Sequence, residues 1–440
     1  MKSIQVGLLG IGTVGGGVFN VLVRNRQEIR RRSGICIDIA MVADLDTARA
    51  KALVGDGVEV VSDARAVIAN PAIDVVVELI GGYGIAKQLV LEAIEAGKHV
   101  VTANKALLAV HGTEIFAAAH RKGVMVAFEA AVAGGIPIIK SLREGLTANR
   151  IEWIAGIING TTNFILSEMR DKGLDFDAVL KEAQRLGYAE ADPTFDIEGV
   201  DAAHKAALMS AIAFGVPVQF NKAYVEGITR LGAQDIRYAG QLGYRIKLLG
   251  ITKKTPKGIE LRVHPTLVPN KRLIASVEGA MNAVMVHGDA VGTTLFYGKG
   301  AGSEPTASAV IADLVDIARL HTADAFHRVP HLAFQPDAMS DTPVLPMDQI
   351  VTSYYLRLNV ADQAGVLAKV TGILAAADIS IDAMLQREAD EVGGEGATQT
   401  DLIILTHDCV EAKMNEALAH MQALPTVLSP IVRIRKEELA

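Results

Sequence analysis

The sequence is poor in cysteine and in aromatic residues, and it has no excess of positive charge. Its two cysteines, Cys36 and Cys409, lie near opposite ends of the 440 residues, so they cannot form a disulfide framework or a thiolate metal site. The 43 basic and 50 acidic side chains give a formal net charge of -7, and no block of like charge is longer than Arg30 to Arg32. We therefore expect a reducing compartment and no nucleic-acid partner.

The sequence also lacks a good candidate for a membrane segment. The stretch from Ile4 to Val23 is apolar and follows Lys2. This combination imitates a signal sequence or a spanning helix. Its glycines would each cost a helix about 1 kcal/mol relative to alanine, and no small-residue cleavage pattern follows. We expect a soluble cytoplasmic chain with no membrane partner, and its length suits two or three domains with sizeable cores.

Short apolar runs alternate with helical patterns in the first part of the chain. The runs lie at 4–9, 35–43, 74–80 and 99–103, and a helical stripe lies within 85–96. The later runs are continuous rather than alternating, as expected when helices cover both faces of a parallel sheet. The pattern predicts an α/β fold with a Rossmann-type doubly wound domain over residues 1–135.

The pattern changes to α+β after residue 135, so we expect residues 136–304 to form a second domain. A helix at 305–322 would return to complete the first domain. The stretch 325–350 contains Pro330, Pro336, Pro343 and Pro346 and is interpreted as a linker. Residues 351–440 then show a βαββαβ order, which predicts a ferredoxin-like module.

A glycine-rich turn follows the first predicted strand and opens a predicted helix. It consists of Gly10, Ile11, Gly12, Thr13, Val14 and Gly15. The first glycine allows a tight turn, the second lets backbone approach a pyrophosphate, and the third allows close packing of helix on strand. The helix N-terminus supplies free amides and partial positive charge, so the segment predicts a dinucleotide site.

Two neighbouring residues leave the choice of dinucleotide open. Asp44 ends the second predicted strand, where an acid usually holds the ribose of NAD. Its spacing from the glycine turn is longer than usual, and Arg49 and Lys51 could instead meet the 2′-phosphate of NADP. Asp44 could also be a solvated turn residue.

Two lysines are candidates for chemistry. Thr102 to Lys105 end the fourth predicted strand, where ligands bind in open α/β sheets, although Lys105 could also be a solvated lysine at a strand end. The helix after residue 199 is apolar nearly all round, and Asp201 and Lys205 fall on the same side of it. Burial lowers a lysine pKa and a carboxylate raises it, which can bring the amine into range for proton transfer. We interpret His204 as a satisfied core histidine.

An acidic loop precedes this helix. It carries Glu190, Asp192, Asp196 and Glu198. Such a loop could bind a substrate ammonium, or it could be an acidic surface loop that caps the next helix.

Together these segments match a known family. The matching motifs are GIGTVG at 10–15, TANK at 102–105, FEAAVAGGIP at 128–137, NGTTNFIL at 159–166, GYAEADPTFDIEGVDAAHK at 187–205 and GKGAGSEPTASAV at 298–310. Over nearly its whole length the chain resembles homoserine dehydrogenase, in the monofunctional form with a C-terminal ACT domain. The resemblance implies interconversion of L-homoserine and L-aspartate 4-semialdehyde with NAD or NADP, in threonine, methionine and isoleucine biosynthesis.

The resemblance also implies roles for individual residues. Lys205 would exchange a proton with the substrate oxygen, Lys105 would orient the substrate and polarise that oxygen, and Asp201 would fix Lys205 or a water. The substrate-binding positions would be Glu190, Asp196, Tyr188, Thr161 and Gly160. Gly302 would approach the nicotinamide end of the cofactor.

Two further sites are implied by the same resemblance. A structural monovalent cation, usually sodium, would bind the Glu129 side chain and the carbonyls of Val132, Gly134 and Ile136. The ACT domain would bind an amino-acid effector, with threonine as our hypothesis, through the loop that contains Asp362, Gln363, Gly365, Val366 and Leu367. An assembly domain without an effector is the alternative. The resemblance also implies that residues 136–304 form the catalytic and dimerisation domain of a homodimer or homotetramer.

Three rival functions remain to be compared. Phosphoglycerate dehydrogenase also carries an ACT module. Its chemistry resembles that of a histidine acid paired with a carboxylate, whereas His204 here faces an apolar stripe. An acylating aldehyde dehydrogenase needs a nucleophilic cysteine, and Cys36 and Cys409 are badly placed for that role. A catalytically silent amino-acid sensor on the same scaffold is the alternative from another class.

Overall fold

The structure, a computed structural model, describes residues 3–323, 327–386 and 398–439. Its N-terminal part is a parallel sheet in the order β3-β2-β1-β4-β5-β6. The strands are β1 (Ser3–Leu9), β2 (Cys36–Ala43), β3 (Glu59–Val61), β4 (Val75–Glu78), β5 (His99–Thr102) and β6 (Val126–Ala127). The helices are α1 (Thr13–Arg24), α2 (Arg26–Ser33), α3 (Thr47–Val54), α4 (Ala64–Ala69), α5 (Gly84–Glu95) and α6 (Lys105–Lys122). This strand order confirms the Rossmann-type doubly wound fold.

A larger mixed sheet with helices on one side forms the central part. Its strands are β7 (Ile151–Ile157), β8 (Tyr224–Val225), β9 (Tyr244–Thr255), β10 (Gly258–Pro269), β11 (Met281–Gly288) and β12 (Gly292–Lys299). Its helices are α7 (Ile138–Lys140), α8 (Gly160–Lys172), α9 (Phe176–Arg185), α10 (Thr194–Ile197), α11 (Val200–Phe214) and α12 (Ala233–Gln241). Helix α11 packs on β9, β10 and α6, so it lies between this sheet and the nucleotide-binding part.

The helix that follows β12 returns to the first sheet. This helix, α13 (Ser303–Leu320), buries Val310, Leu314 and Ile317 in one core with Val6 and Leu8 of β1. The spacing of its apolar residues by three and four positions puts them on one face, which explains why it covers the sheet.

The C-terminal part has the predicted βαββαβ order, with one additional two-residue strand before its second helix. Its elements are β13 (Val351–Ala361), α14 (Val366–Ala376), β14 (Ile381–Gln386), β15 (Gln399–Thr406), β16 (Cys409–Val410), α15 (Glu411–Gln422) and β17 (Val432–Lys436). Strand β17 pairs in parallel with β10, with Thr266 opposite Arg435, so the sheets of the central and C-terminal parts are continuous.

The segment expected to be a linker lies against the central part. Residues 325 and 326 are outside the described residues, and the rest is described from residue 327. The Ile259 amide donates to the Pro343 carbonyl at 2.8 Å, and the Leu345 amide donates to the Ile259 carbonyl at 2.8 Å. The Ser340 amide donates to the Gly215 carbonyl at 2.7 Å. Proline here marks an extended segment that pairs with the edge of β10 at Ile259.

The contact between α1 and α13 can be tested with a glycine substitution. A Cβ at Gly17 would lie 2.7 Å from the Ser303 carbonyl oxygen, which is backbone and cannot rotate away. We expect Gly17→Ala to lower the free energy of unfolding by about 1–3 kcal/mol through overpacking. Urea denaturation measures this, and Gly84→Ala is the matched control because its Cβ would meet no atom within 4 Å. Equal stability of the two variants would contradict the close packing of α13 on α1.

Candidate active site

The glycine turn has the geometry that its three glycines predict. Gly10 has φ 89°, and a Cβ there would lie 3.0 Å from the Leu79 carbonyl oxygen. A Cβ at Gly15 would lie 2.3 Å from the Gly10 carbonyl oxygen, so only glycine fits there. A Cβ at Gly12 would meet no atom within 4 Å, which leaves the side of the turn open. Thr13 and Val14 begin α1, so the amides of a helix N-terminus face this opening.

Asp44 lies directly after β2 and holds the glycine turn. Its Oδ2 accepts from the Ile11 amide at 2.8 Å, and its Oδ1 accepts from the Asp46 amide at 2.9 Å. The Arg49 Nη2 lies 3.4 Å from the same Oδ2, and the Arg49 side chain is more than half exposed. Asp44 is therefore not a freely solvated turn residue.

Glu78, which sequence reasoning missed, organises the ends of β4 and β5. It is fully buried, and its Oε1 accepts from the amides of Ile80 and Gly81. The Thr102 hydroxyl donates to its Oε2 at 2.7 Å and accepts from the Asn104 amide at 3.0 Å. A carboxylate inside the apolar run at 74–80 is the signal that could have identified it. These contacts fix the start of α6, which carries Lys105.

The two candidate lysines meet at one buried carboxylate. The Lys205 Nζ donates to Asp201 Oδ2 at 2.7 Å and to the Ile158 carbonyl at 2.7 Å. The Lys105 Nζ lies 3.2 Å from Asp201 Oδ1 and 5.7 Å from the centroid of the Phe195 ring. The Asp201 side chain is 5% exposed and that of Lys205 10%, whereas that of Lys105 is 32% exposed. The cluster therefore opens to solvent on the Lys105 side.

Burial and charge set the proton affinities in this cluster. Burial lowers the pKa of Lys205 below its usual range, while Asp201 opposes that shift. Burial alone would raise the pKa of Asp201, but Lys205 and Lys105 hold it well below its usual range. Asp201 therefore stays a carboxylate, and Lys205 is an amine that releases its proton more readily than an exposed lysine.

Asn159 connects this cluster to the acidic loop. Its Nδ2 donates to Asp201 Oδ2 at 2.9 Å and to Asp196 Oδ1 at 2.7 Å. The Thr161 hydroxyl donates to the Tyr188 carbonyl at 2.7 Å and lies 3.1 Å from Asp196 Oδ2. Burial raises the pKa of Asp196, and the neighbouring Asp201 charge acts in the same direction. Sequence reasoning missed Asn159, although its place before Gly160 in the NGTTN segment marks a helix N-cap.

The remaining predicted substrate residues surround Asp196 at different depths. Gly160 begins α8, and a Cβ there would lie 2.8 Å from the Ala280 carbonyl oxygen. The exposed Tyr188 ring packs against Phe164 with centroids 4.5 Å apart. Glu190 is exposed, and its backbone carbonyl accepts from the Gln184 side-chain amide at 3.1 Å. The structure thus brings together Gly160, Thr161, Tyr188 and Asp196, while the Glu190 carboxylate stays at the surface.

His204 is a core residue, as expected, and aromatic rings surround it. It is fully buried, and neither ring nitrogen has a hydrogen-bond partner among the described residues. Its ring packs between Phe195 and Phe220, with centroids 5.3 and 4.2 Å away. Burial lowers the pKa of His204 to about 4, so the ring is neutral near pH 7. The aromatic contacts rather than hydrogen bonds hold it in place.

Glu129 is buried at the start of the segment expected to hold a cation. Its Oε1 accepts from the Ile139 amide at 2.9 Å and its Oε2 from the Lys140 amide at 2.7 Å. Burial raises the pKa of Glu129 to about 7, although these amides and nearby cations oppose the shift. Asp313 accepts from the Glu129 amide at 2.8 Å, and burial together with Glu129 raises its pKa to about 8.

The rest of the predicted cation segment packs against the turn that contains Gly302. Val132 and Gly134 flank Ala133, and both Ala133 and Gly134 have positive φ. A Cβ at Gly134 would lie 2.4 Å from the Gly300 carbonyl oxygen. The Ile136 carbonyl accepts from the Ile138 amide at 2.8 Å. Among the described residues, no group of three or more His, Cys, Asp or Glu side chains could hold a metal ion.

Gly302 joins this turn to the nucleotide-binding part. It has φ 123° and precedes α13. The adjacent Ser303 hydroxyl donates to the Thr13 carbonyl at 2.7 Å, which brings Gly302 to the glycine turn.

The predicted effector loop is exposed at the edge of the C-terminal part. Asp362, Gln363 and Gly365 are exposed, Leu367 is half-buried and Val366 is buried. Gly365 has φ 88° and precedes α14, where only glycine is free of strain.

Of the helices that the structure describes, none has the length and apolar character to cross a membrane.

Comparisons with known proteins agree with this arrangement. The sequence profile of homoserine dehydrogenase matches residues 137–315, that of its NAD-binding domain matches 10–129, and that of the ACT domain matches 354–420. The chain is 60% identical to a homoserine dehydrogenase of Pseudomonas aeruginosa over 440 residues, covering 100% of both chains.

Solved structures give the same result. A homoserine dehydrogenase from Thiobacillus denitrificans superposes with a TM-score of 0.95 at 64% identity, over 100% of this chain and 99% of that one. A hyperthermophilic archaeal homoserine dehydrogenase in complex with NADPH gives a TM-score of 0.62 at 25% identity, over 74% of this chain and 100% of that one. The chain therefore belongs to the homoserine dehydrogenase family, oxidoreductases with a nucleotide-binding domain, and it carries a C-terminal ACT domain.

Proposed function

We propose that this protein interconverts L-homoserine and L-aspartate 4-semialdehyde with NAD or NADP, on the route to threonine, methionine and isoleucine. The observation that carries the proposal is the contact of Lys105 and Lys205 with the single buried carboxylate of Asp201. The bound nicotinamide supplies the hydride chemistry. The chain must then bind the substrate, orient its reacting oxygen and move one proton.

Lys205 is the proton donor and acceptor in this proposal. For oxidation the neutral amine takes the hydroxyl proton, and for reduction the ammonium returns it to the oxygen. Burial supports this role because it lowers the Lys205 pKa toward the working range. Asp201 holds Lys205 in place, and the more exposed Lys105 stabilises negative charge on the reacting oxygen.

The acidic loop binds the substrate ammonium. Asp196 supplies the main carboxylate, because Asn159 and Thr161 hold it beside the lysine cluster. Glu190 contributes when its exposed side chain turns toward bound substrate, and Tyr188, Thr161 and Gly160 line the same site. A charge-assisted contact of this kind fixes the orientation of a small zwitterion.

The glycine turn holds the cofactor. Gly10, Gly12, Thr13, Val14 and Gly15 surround the pyrophosphate, and the open side of Gly12 supports this assignment. Asp44 and Arg49 lie together where the adenine ribose would bind. Asp44 offers an acceptor to a ribose hydroxyl of NAD, and Arg49 offers a guanidinium to the 2′-phosphate of NADP. Thr102, Lys105 and Gly302 are the positions nearest the nicotinamide.

We assign the remaining parts of the chain by the same reasoning. Residues 1–135 with the helix at 305–322 form the nucleotide-binding domain, 136–304 the catalytic and dimerisation domain, and 351–440 the ACT domain, in a cytoplasmic homo-oligomer. The fit of a monovalent cation to Glu129, Val132, Gly134 and Ile136 is supported by burial of a carboxylate whose pKa is raised to about 7. Threonine is the proposed effector at Asp362, Gln363, Gly365, Val366 and Leu367.

The rival functions have less support. A histidine-acid mechanism would need a polar partner for His204, whereas its ring nitrogens have none among the described residues. Neither cysteine suits an acylating mechanism, because Cys36 is half-buried in β2 and burial raises the pKa of Cys409 to about 11. A silent sensor would have no use for two lysines at one buried carboxylate.

Replacement of Lys205 tests the proton-transfer role. We expect Lys205→Met to lower kcat by about 10²–10⁴-fold, since general acid–base catalysis contributes roughly that factor, while cofactor affinity is retained. Homoserine-dependent reduction of NAD and of NADP measures the effect and establishes cofactor preference. Lys98→Met is the control, because Lys98 is another buried lysine whose Nζ donates to the carbonyls of Asn70 and Ile73. Near-normal turnover of Lys205→Met would refute the assignment.

The cation site predicts a pH-dependent effect on stability. The raised pKa values of Glu129 and Asp313 mean that the folded state binds more protons than the unfolded state, so stability falls as pH rises from about 4 to about 8. A cation beside Glu129 offsets this loss. Above pH 8 we therefore expect Tm to be higher in sodium chloride than in N-methylglucamine chloride of equal ionic strength. Near pH 5 this difference in Tm should be smaller. Glu129→Gln should abolish the difference, and its persistence in that variant would place the cation elsewhere.

Effector binding is tested by adding threonine at millimolar concentration. Because a ligand that binds the folded state stabilises it, threonine should lower activity and raise Tm. Asp362→Ala should lose both responses, whereas Asp348→Ala, an exposed aspartate ahead of β13, should keep them. If threonine leaves both properties of the parent chain unchanged, the ACT domain does not bind it.

A further inference from the structure

Arg435 connects the ACT domain to the catalytic domain through a buried guanidinium. It lies on β17 and is 1% exposed. Its Nε donates to Glu411 Oε2 of α15 at 3.0 Å, and its Nη1 donates to Glu226 Oε2 of the catalytic domain at 2.8 Å. Its Nη2 donates to the Tyr224 hydroxyl at 3.1 Å, and that hydroxyl donates to Glu226 at 2.7 Å. One arginine therefore pairs with a carboxylate from each domain.

The segment that carries Glu226 packs against the end of the acidic loop. The Ile228 amide donates to the Ile197 carbonyl at 2.8 Å, and the Thr229 hydroxyl donates to Glu198 Oε1 at 3.2 Å. A Cβ at Gly227 would lie 2.3 Å from the Ile197 carbonyl oxygen and 2.5 Å from the Glu198 Cα. The segment 226–229 thus touches the residues that directly follow Asp196.

The same segment supports the start of the catalytic helix. Gly199 precedes α11 with φ 82°, and a Cβ there would lie 3.3 Å from a methyl group of Val225. Strand β8, which contains Val225, pairs with β10, and β10 pairs with β17. A displacement of β17 would therefore reach first the backbone that follows Asp196, because α11 is also held by β9 and α6.

We propose that Arg435 and Glu226 are positioning residues through which the ACT domain holds the acidic loop in its substrate-binding conformation. The proposal rests on the assignment of Asp196 to the substrate ammonium. The Glu226 carboxylate accepts from Arg435 and Tyr224, so it acts on the acidic loop through the backbone of residues 227–229. Loosening this pair changes substrate affinity more than cofactor affinity, because the glycine turn lies on a different sheet.

Two substitutions test the segment and keep the buried guanidinium of Arg435, which also pairs with Glu411. Glu226→Gln keeps the size of the side chain and removes its charge. Gly227→Ala introduces a Cβ against the Ile197 carbonyl. For each we expect the KM for homoserine to rise about tenfold, within the usual range of coupling between sites, with kcat and the KM for cofactor changed less than about twofold.

Matched controls separate positioning from a general loss of stability. Asp235→Asn weakens a second buried pair between the same domains, in which Arg357 Nε donates to Asp235 Oδ1 at 2.6 Å on α12. Gly240→Ala adds a Cβ that meets no atom within 4 Å. Both controls should leave the KM for homoserine unchanged, even where Asp235→Asn lowers Tm as much as Glu226→Gln. An equal rise in KM for Asp235→Asn and Glu226→Gln would overturn the proposal.

Asp196→Asn distinguishes failure of this proposal from failure of the substrate assignment. If Asp196→Asn raises the KM for homoserine and Glu226→Gln does not, the positioning role alone is wrong. If Asp196→Asn leaves KM unchanged, the assignment of the acidic loop is wrong, and the positioning role falls with it.

Discussion

The buried carboxylate of Asp201 is the constraint on which the rest of the site depends. A carboxylate at this depth is costly unless it is paired, and Lys205, Lys105 and Asn159 supply its partners. Those partners come from α11, α6 and the start of α8, so three elements must meet at one point. The packing of α11 against α6 and the central sheet is therefore a requirement of the charge arrangement as well as of the core.

Much of this site could be predicted from the sequence, because local patterns place its main residues. The helical periodicity of residues 200–214 put Asp201 and Lys205 on one buried side, and the end of an apolar run identified Lys105. Asn159 and Glu78 were missed because their roles depend on contacts between segments far apart in sequence. For His204, the apolar stripe predicted burial, but it could not identify the aromatic neighbours that pack against the ring.

The fold was predictable to a similar extent. Short apolar runs predicted the parallel strands β1, β2, β4 and β5. Helix α2 has no buried residue, and β12 is mostly exposed or half-buried, so neither carries a strong hydrophobic pattern. The pairing of β17 with β10 was not predictable, because a βαββαβ pattern describes the ACT domain and not the edge that it presents to a neighbour. The prolines at 330–346 suggested a separating linker, whereas proline is equally suited to an extended segment at the edge of a sheet.

The path of the chain between the nucleotide-binding and catalytic domains explains why the ligand segments are glycine-rich. The chain leaves the first domain near Phe128 to Pro137 and returns near Lys299 to Ser303. These two crossings touch, since the Gly135 amide donates to the Lys299 carbonyl at 3.0 Å and Gly134 leaves no room for a Cβ beside Gly300. The second crossing also reaches the glycine turn through Ser303. Backbone contacts therefore join the glycine turn, the second crossing and the Glu129 segment, and glycine permits them where larger residues would prevent them.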